Sequence, residues 1–205
     1  MSGVDKFFSA DTPLESEEKR REAREKARAL VHSGDWLSTI IDHHEAIERA
    51  AAAVRSASNA SARRAAEKTL ATLLTGHAIA EETTVYPALV QVDEQSQASA
   101  AYMEQATVKV LLATLETLDP MSQDYLDTLG RFESVATQHS YEEEHKRFPE
   151  LLSRASPEMN QRIGARYREE FARYVGEKAP PGGAMFGTAA SEPRSFAADQ
   201  RPPAT

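Results

Sequence analysis

One block occurs twice in this chain. His77-Ala-Ile-Ala-Glu81-Glu82, three further residues and Tyr86-Pro87-Ala88-Leu89 is matched by His139-Ser-Tyr-Glu-Glu143-Glu144, three residues and Phe148-Pro149-Glu150-Leu151. Six positions coincide at identical spacing: His, Glu, Glu, aromatic, Pro and Leu. A His and a Glu four apart lie on one face of a helix, so each copy can direct an imidazole and a carboxylate into a common volume. A single His-x-x-x-Glu is ordinarily a polar pair on a solvated face. Its duplication with an aromatic-Pro ending makes it a ligand pattern.

The rest of the chain is punctuated for helices. Breakers stand at helix ends and β-branched runs with period-two alternation are missing, so an all-α fold is expected. Thr12 as N-cap, Pro13 in the first turn and Glu15 closing a Thr-x-x-Glu capping box predict a first helix to about His32, stopped by Gly34. Its charges fall into i,i+4 pairs: Glu15 with Lys19, Glu17 with Arg21, and Glu22 with Lys26. Its apolar side is thin, mainly Leu30 and Val31 with small alanines, which places it outside a bundle or in a partner interface. Helix A follows Asp35 to about Ser58, with Trp36, Ile40, His43, Ile47, Ala50 and Val54 as its seam. Helix B starts near Asn59 or Ser61 and carries Leu70, Leu73, Leu74, His77 and Glu81 to Tyr86-Pro87. Helix C covers about Gln95 to Leu118, with the seam Ala101, Glu104, Val108, Leu111, Leu115 and Leu118. Asp119-Pro120 closes it and caps helix D, from about Met121 to His145, and Ser156-Pro157 opens a last helix ended by Gly176.

Helices A to D are each roughly 35 Å long with short connections, which favours an up-down-up-down antiparallel four-helix bundle. The expected organisation is a charged N-terminal helical extension at 1–34, the bundle at 35–152, a C-terminal helix at 153–176 and a disordered tail at 177–205. Five of the ten prolines gather in that tail.

Composition narrows the chemistry. The chain has no cysteine, which removes disulfides, thiolate zinc sites, iron–sulfur clusters and Cys nucleophiles, so any metal must be held by His, Asp or Glu. A formal charge of −8 disfavours nucleic acid and anionic membrane surfaces as partners. The N-terminus lacks the basic-then-apolar order of a signal peptide and no run is apolar enough for a membrane span, so a soluble cytoplasmic protein is expected. Phosphate-binding glycine loops and a G-x-S-x-G elbow are absent, which leaves nucleotide-binding and hydrolase readings without support.

His43 lies on the helix A seam between Ile40 and Ile47. A lone His on an apolar face is ordinarily a hydrogen-bonded core residue. Beside two His-x-x-x-Glu pairs it reads as a further ligand, because three histidines and two glutamates buried together without a metal are costly to desolvate. His44, about 100° around the helix, is expected to orient a ligand or to face solvent. Glu82 and Glu144, each directly after a candidate ligand, are candidates for orienting an imidazole, although carboxylate-rich faces are usually solvated. Sulfur-free imidazole and carboxylate ligands suit iron, manganese or zinc, and carboxylates from facing helices favour two ions. The order His then Glu differs from the Glu-x-x-His order of the ferritin-like group.

The Asp42-His43 start, the two blocks ending in Tyr86-Pro87 and Phe148-Pro149, and the A-B-C-D order resemble the hemerythrin-like HHE cation-binding family over about residues 35 to 152. The resemblance implies a four-helix bundle around a non-haem di-iron centre that binds or senses dioxygen, handles nitric oxide or peroxide, or senses iron. Carried over, the ligands are His43, His77, Glu81, His139 and Glu143. The family usually offers a further histidine near the start of helix C. Here that stretch reads Tyr102-Met-Glu-Gln-Ala-Thr-Val-Lys-Val-Leu-Leu, and the imidazole is missing. Gln105 stands nearest its place, whereas Glu104 is on the seam.

An inward Glu104 makes the site three His and three Glu; an outward one leaves a metal short of a ligand. Added carboxylate donors shift the expectation from reversible oxygen carriage toward redox chemistry, a di-iron oxidoreductase acting with dioxygen or peroxide. In that version Glu81 and Glu143 bridge, and Tyr102 or Trp36 tunes the site or is plain core. The alternatives are a sensor or carrier of oxygen or iron, contacting a protein partner through the first helix, and a metal-free helical interaction module.

Overall fold

The computed structural model describes residues 14–32, 34–92 and 94–176, and all regular structure among them is helical. The elements are α1 (Glu17–Ala29), α2 (Trp36–Ser56), α3 (Ala60–Ala80), α4 (Tyr86–Gln91), α5 (Gln95–Thr117), α6 (Gln123–Glu142), α7 (Phe148–Arg154) and α8 (Pro157–Val175). No described helix is long and apolar enough to cross a membrane. The expected Thr12 and Pro13 signals and the tail from 177 lie outside the described residues.

Hydroxyl and amide caps set the helix starts. Ser16, Asn59, Ser122 and Ser156 each accept a backbone N–H three residues on, from Lys19, Ala62, Tyr125 and Met159. Such a cap contributes about 1 kcal/mol. Two expectations change here. The first helix starts at Glu17 behind Ser16 and ends at Ala29. Asp119 does not cap α6: its carboxylate turns the chain by accepting from Met121 N, and Ser122 takes the cap.

The duplicated block has a structural counterpart. Each copy widens into one π-helical turn, Glu81–Val85 and Glu143–Arg147, before resuming as α4 and α7. The N–H groups of Tyr86 and Phe148 reach back five residues, to the carbonyls of Glu81 and Glu143. A proline in a regular helix clashes with the carbonyl four residues back, and the extra residue in the turn relieves that clash at Pro87 and Pro149. Helix B therefore does not stop at Tyr86-Pro87, nor helix D at His145, as expected from the sequence: both continue through their aromatic-Pro pairs.

α2 packs along α3, α5 along α6, and α3 along α8. The side chains between them form two apolar clusters. One includes Trp36, Ile40, Ile41, Val85, Tyr86, Leu89, Phe148 and Tyr167; the other includes Ile47, Val54, Leu70, Leu74, Val108, Leu115, Tyr125 and Phe132. A polar layer separates them. Along α2, His44 falls between Ile41 and Ile47; on α3, His77 follows Leu74; on α5, Gln105 lies between Ala101 and Val108.

α1 packs on α2, α6 and the second π turn. Its buried residues are Ala23 and Ala27, while Leu30 is 57% exposed, so alanines rather than Leu30 make the contact. The Glu15–Lys19 and Glu22–Lys26 pairs form at 2.9 and 2.8 Å, but Arg21 faces Glu25 rather than Glu17. α8 closes on α3 at Gly76, where a Cβ would stand 2.7 Å from Val175 Cγ2.

Candidate metal centre

Five side chains converge in the polar layer, all 5% exposed or less: His44, His77, Glu81, His139 and Glu143. His44 Nε2 stands 3.3 Å from Glu143 Oε2 and 3.8 Å from Glu81 Oε1. His77 Nε2 is 3.2 Å from Glu81 Oε2, and His139 Nε2 is 3.5 Å from Glu143 Oε1. These donors form two groups, His44 with His77 and Glu81, and Glu81 with His139 and Glu143, so Glu81 belongs to both.

Three of the converging atoms, His44 Nε2, Glu81 Oε1 and Glu143 Oε2, are buried without a hydrogen-bond partner. Leaving such atoms unsatisfied costs about 1–3 kcal/mol each, more for charged groups. Donors bound to one ion at about 2.0–2.2 Å stand about 3–4.4 Å from one another, and within the two groups His77–Glu81, His139–Glu143 and His44–Glu81 stand 3.2, 3.5 and 3.8 Å apart, with every donor atom of a group inside 4.8 Å of the others. The residues therefore fit a bound metal.

The outer nitrogen of each imidazole is held. His44 Nδ1 is 2.8 Å from Glu144 Oε1, and His139 Nδ1 is 3.0 Å from Glu104 Oε2. An ionised carboxylate only accepts, so both rings donate from Nδ1 and turn Nε2 inward. His77 Nδ1 meets the Tyr167 hydroxyl at 2.9 Å, and the same hydroxyl meets His43 Nδ1 at 2.8 Å. One hydroxyl proton cannot serve two ring lone pairs, so at least one ring donates. With His77 donating, Tyr167 donates to His43. Tyr167→Phe is expected to lower stability by about 1–3 kcal/mol by stranding both nitrogens; denaturant unfolding midpoints measure it, and an unchanged midpoint counts against the bridge.

The structure puts His43 elsewhere than expected. Its ring stacks on Phe171 at 3.9 Å between centroids and is bonded to Tyr167, and burial, with His44 nearby, holds its pKa down at about 4. His44, assigned by the sequence to an orienting role or the surface, faces the carboxylates instead. α2 is covered on two sides, by α3 and α8 and by α6 and α1, so two neighbouring stripes are buried. At the level of the polar layer the seam position, His43, is the one that faces α8.

Helix C shows a parallel correction. The buried residues of α5 are Ala98, Ala101, Gln105, Val108, Leu111, Leu112 and Leu115, so the expected seam holds except at Glu104, which sits beside it, 29% exposed. Glu104 accepts a two-pronged pair from Arg147, 2.6 Å on each oxygen, together with His139 Nδ1. Burial opposes its ionisation, but the hydrogen bonds from His139 and Arg147 hold its carboxyl down at about 2. Gln105 takes the inward place: its Oε1 is 3.0 Å from His139 Nε2 and its amide donates to the Ala78 carbonyl. Tyr102 is 38% exposed and bonded to the Glu82 carbonyl, and Trp36 packs on Phe148 and donates to Asn160. Glu82 pairs with Lys109 near the surface at 2.5 Å.

Tyr86 is the functional group the sequence reading passed over. Its hydroxyl donates to Glu143 Oε1 at 2.8 Å and lies 3.3 Å from both Glu81 Oε2 and His139 Nε2. The signal was in the repeat, where Phe148 occupies the matching position without a hydroxyl.

Charge at the centre is arranged by burial and proximity. Burial and the Glu143 charge raise the Glu81 carboxyl to about 7. Burial opposes protonation of His44, yet Glu143, Glu144 and Glu81 keep its pKa well above the ordinary value. Burial, with His44, His43 and His139 around it, keeps His77 well below that value. A cleft of about 200 Å³ between α2 and α6, lined by Ile47, Ala51, Phe132 and Ala136 together with Glu48, Glu133, Thr137 and Ser140, reaches His44.

The family model described as the hemerythrin HHE cation binding domain matches residues 36–151, more than half of the chain, and the chain belongs to that family. No curated protein and no solved structure compared with the chain matches it. The shared segment begins at the first residue of α2 and ends inside α7, so α1 and α8 lie outside it.

Proposed function

We propose that this chain is a hemerythrin-like di-iron protein whose centre binds or activates dioxygen, peroxide or nitric oxide within an up-down-up-down bundle. His44, His77 and Glu81 would hold one ion, and Glu81, His139 and Glu143 the other, with manganese or zinc as the alternative occupants. The observation that carries this reading is the convergence of three buried polar atoms without partners, from α2 and both halves of the repeat. Bound iron would supply a redox-active Lewis acid able to take a small oxygen or nitrogen ligand.

The chain's own groups set the character of such a centre. Glu144, Glu104 and Tyr167 fix the three imidazole rings by their Nδ1 atoms, which keeps each Nε2 turned toward the carboxylates. Arg24 and Arg147 neutralise the outer carboxylates, leaving Glu81 and Glu143 as the charges available to a cation. Gln105 stands nearest the place of the further imidazole expected on helix C, and with the Tyr86 hydroxyl it makes the surroundings of His139 rich in oxygen atoms. Hard oxygen donors favour the higher oxidation state, which supports redox turnover over reversible carriage. The cleft, apolar at Ile47, Ala51, Phe132 and Ala136 and polar at Glu48, Glu133, Thr137 and Ser140, gives a small ligand room beside His44.

Iron per chain, measured by elemental analysis after anaerobic loading with ferrous ion, tests the assignment. Two equivalents are expected in the parent, a loss of at least about half in His44→Ala, and full retention in His43→Ala. Retention in His44→Ala with loss in His43→Ala would reverse the assignment. A stable oxygen adduct that reverses on deoxygenation would favour the carrier reading over turnover.

A further inference from the structure

α1 lies outside the segment shared with the family, yet it reaches the metal centre. Arg24, whose side chain is 21% exposed, directs Nε at both oxygens of Glu144, 3.1 and 2.9 Å away, and its terminal nitrogens at Glu48, 3.0 and 2.7 Å away. Glu144 is 2% exposed and receives His44 Nδ1 at 2.8 Å. An unbroken line of charge-assisted hydrogen bonds thus runs from a guanidinium on α1, through a buried carboxylate, to the ring whose other nitrogen faces Glu81 and Glu143. Arg28, four residues on, pairs with Asp42 and Glu45 across the same interface, but both acids are about one-third exposed and the link ends on the surface of α2.

We propose that Arg24 is a positioning residue of the metal centre: by fixing Glu144 it fixes the His44 ring, so docking of α1 and binding of metal are coupled. The inference rests on the metal reading above. Without the guanidinium, Glu144 is a buried carboxylate with one remaining partner, free to turn its oxygens and release the ring. Outer partners of metal-bound histidines typically change metal affinity 10–100-fold. Coupling of this kind is reciprocal, so metal must also tighten α1.

The test uses the full chain and cobalt(II) as the probe, with release to excess chelator followed in the parent, Arg24→Met, Arg24→Lys and Arg28→Met. Release about tenfold faster in Arg24→Met, partly restored in Arg24→Lys and within about twofold of the parent in Arg28→Met is expected. Equal effects of Arg24→Met and Arg28→Met would overturn the proposal, since both remove an anchor of α1 and only one touches the line to His44. Amide hydrogen exchange over residues 17–29 in the parent gives a readout that no variant's folding can spoil. Slower exchange with cobalt bound supports the coupling, and unchanged exchange overturns it. A parent that takes up neither cobalt nor iron defeats the metal reading itself, and this shows before any variant is compared.

Discussion

Glu81→Gln is expected to abolish metal binding and, in the same molecule, to stabilise the metal-free fold. Glu81 is the one side chain common to both donor groups, so its loss removes an anion from each. An effect larger than the 10–100-fold seen for outer partners follows, and metal per chain should fall close to zero. Without metal the sign turns. Glu81 is fully buried, its Oε1 has no partner, and it shares its volume with Glu143. His44 keeps Glu143 and Glu144 as partners when Glu81 loses its charge, so no uncompensated cation is left behind. Removal of a poorly satisfied buried charge should raise stability by about 1–3 kcal/mol. Denaturant unfolding of the stripped and the cobalt-loaded protein, parent beside variant, measures both halves. A stripped variant weaker than the stripped parent would show that Glu81 is structurally satisfied as it stands.

The caps at Asn59 and Ser156, the turns of the chain and the His77/Glu81 and His139/Glu143 pairs are local features, readable from spacing on one helix. The His43/His44 and Glu104/Gln105 choices are not local. Each pair offers two adjacent faces of a helix, and which face meets the carboxylates depends on the neighbouring helices. α2 carries α8 on one side, so the seam position at His43 is taken up by contacts with Tyr167 and Phe171. Arg147, from the π turn, draws Glu104 outward and leaves Gln105 to the interior. Tyr167 and Arg24 belong to flanking helices with no motif of their own, and nothing in their local sequence marks them as neighbours of an imidazole.

The polar layer is costly, and the apolar clusters on either side compensate for it. The cluster with Leu70, Tyr125 and Phe132 adds a second device at the end of the bundle away from the metal centre. There Arg63, 6% exposed, donates to the carbonyls of Val54, Ala57 and Pro120 at 3.2, 2.8 and 2.6 Å. Its neighbour Arg64 donates to the carbonyls of Leu115 and Leu118 and pairs with Glu67, which also accepts from the Tyr125 hydroxyl. Carbonyls at the C-terminal ends of α2 and of α5 are thus covered from the first turn of α3, those of Val54 and Leu115 in addition to the backbone N–H groups of Ala57 and Leu118.

Arg63→Met should therefore unfold the protein far more readily while sparing its metal. A hydrogen bond from a charged donor contributes about 1.5–3 kcal/mol, and water can replace part of what is lost at this end of the bundle, so a net loss of about 3 kcal/mol is expected. For a chain of this size that corresponds to a fall in Tm of about 6–12 °C. Arg63 and His77 are on the same helix, about 21 Å apart along its axis at 1.5 Å per residue, and the apolar cluster lies between them. Sites that far apart without shared partners act independently, so cobalt release at a temperature where the variant stays folded should match the parent within about twofold. A loss under about 0.5 kcal/mol would mean that water serves those carbonyls as well as the guanidinium does. Faster cobalt release from folded Arg63→Met would mean that the two ends of α3 are mechanically linked, and that the polar layer does not stand alone between its two apolar neighbours.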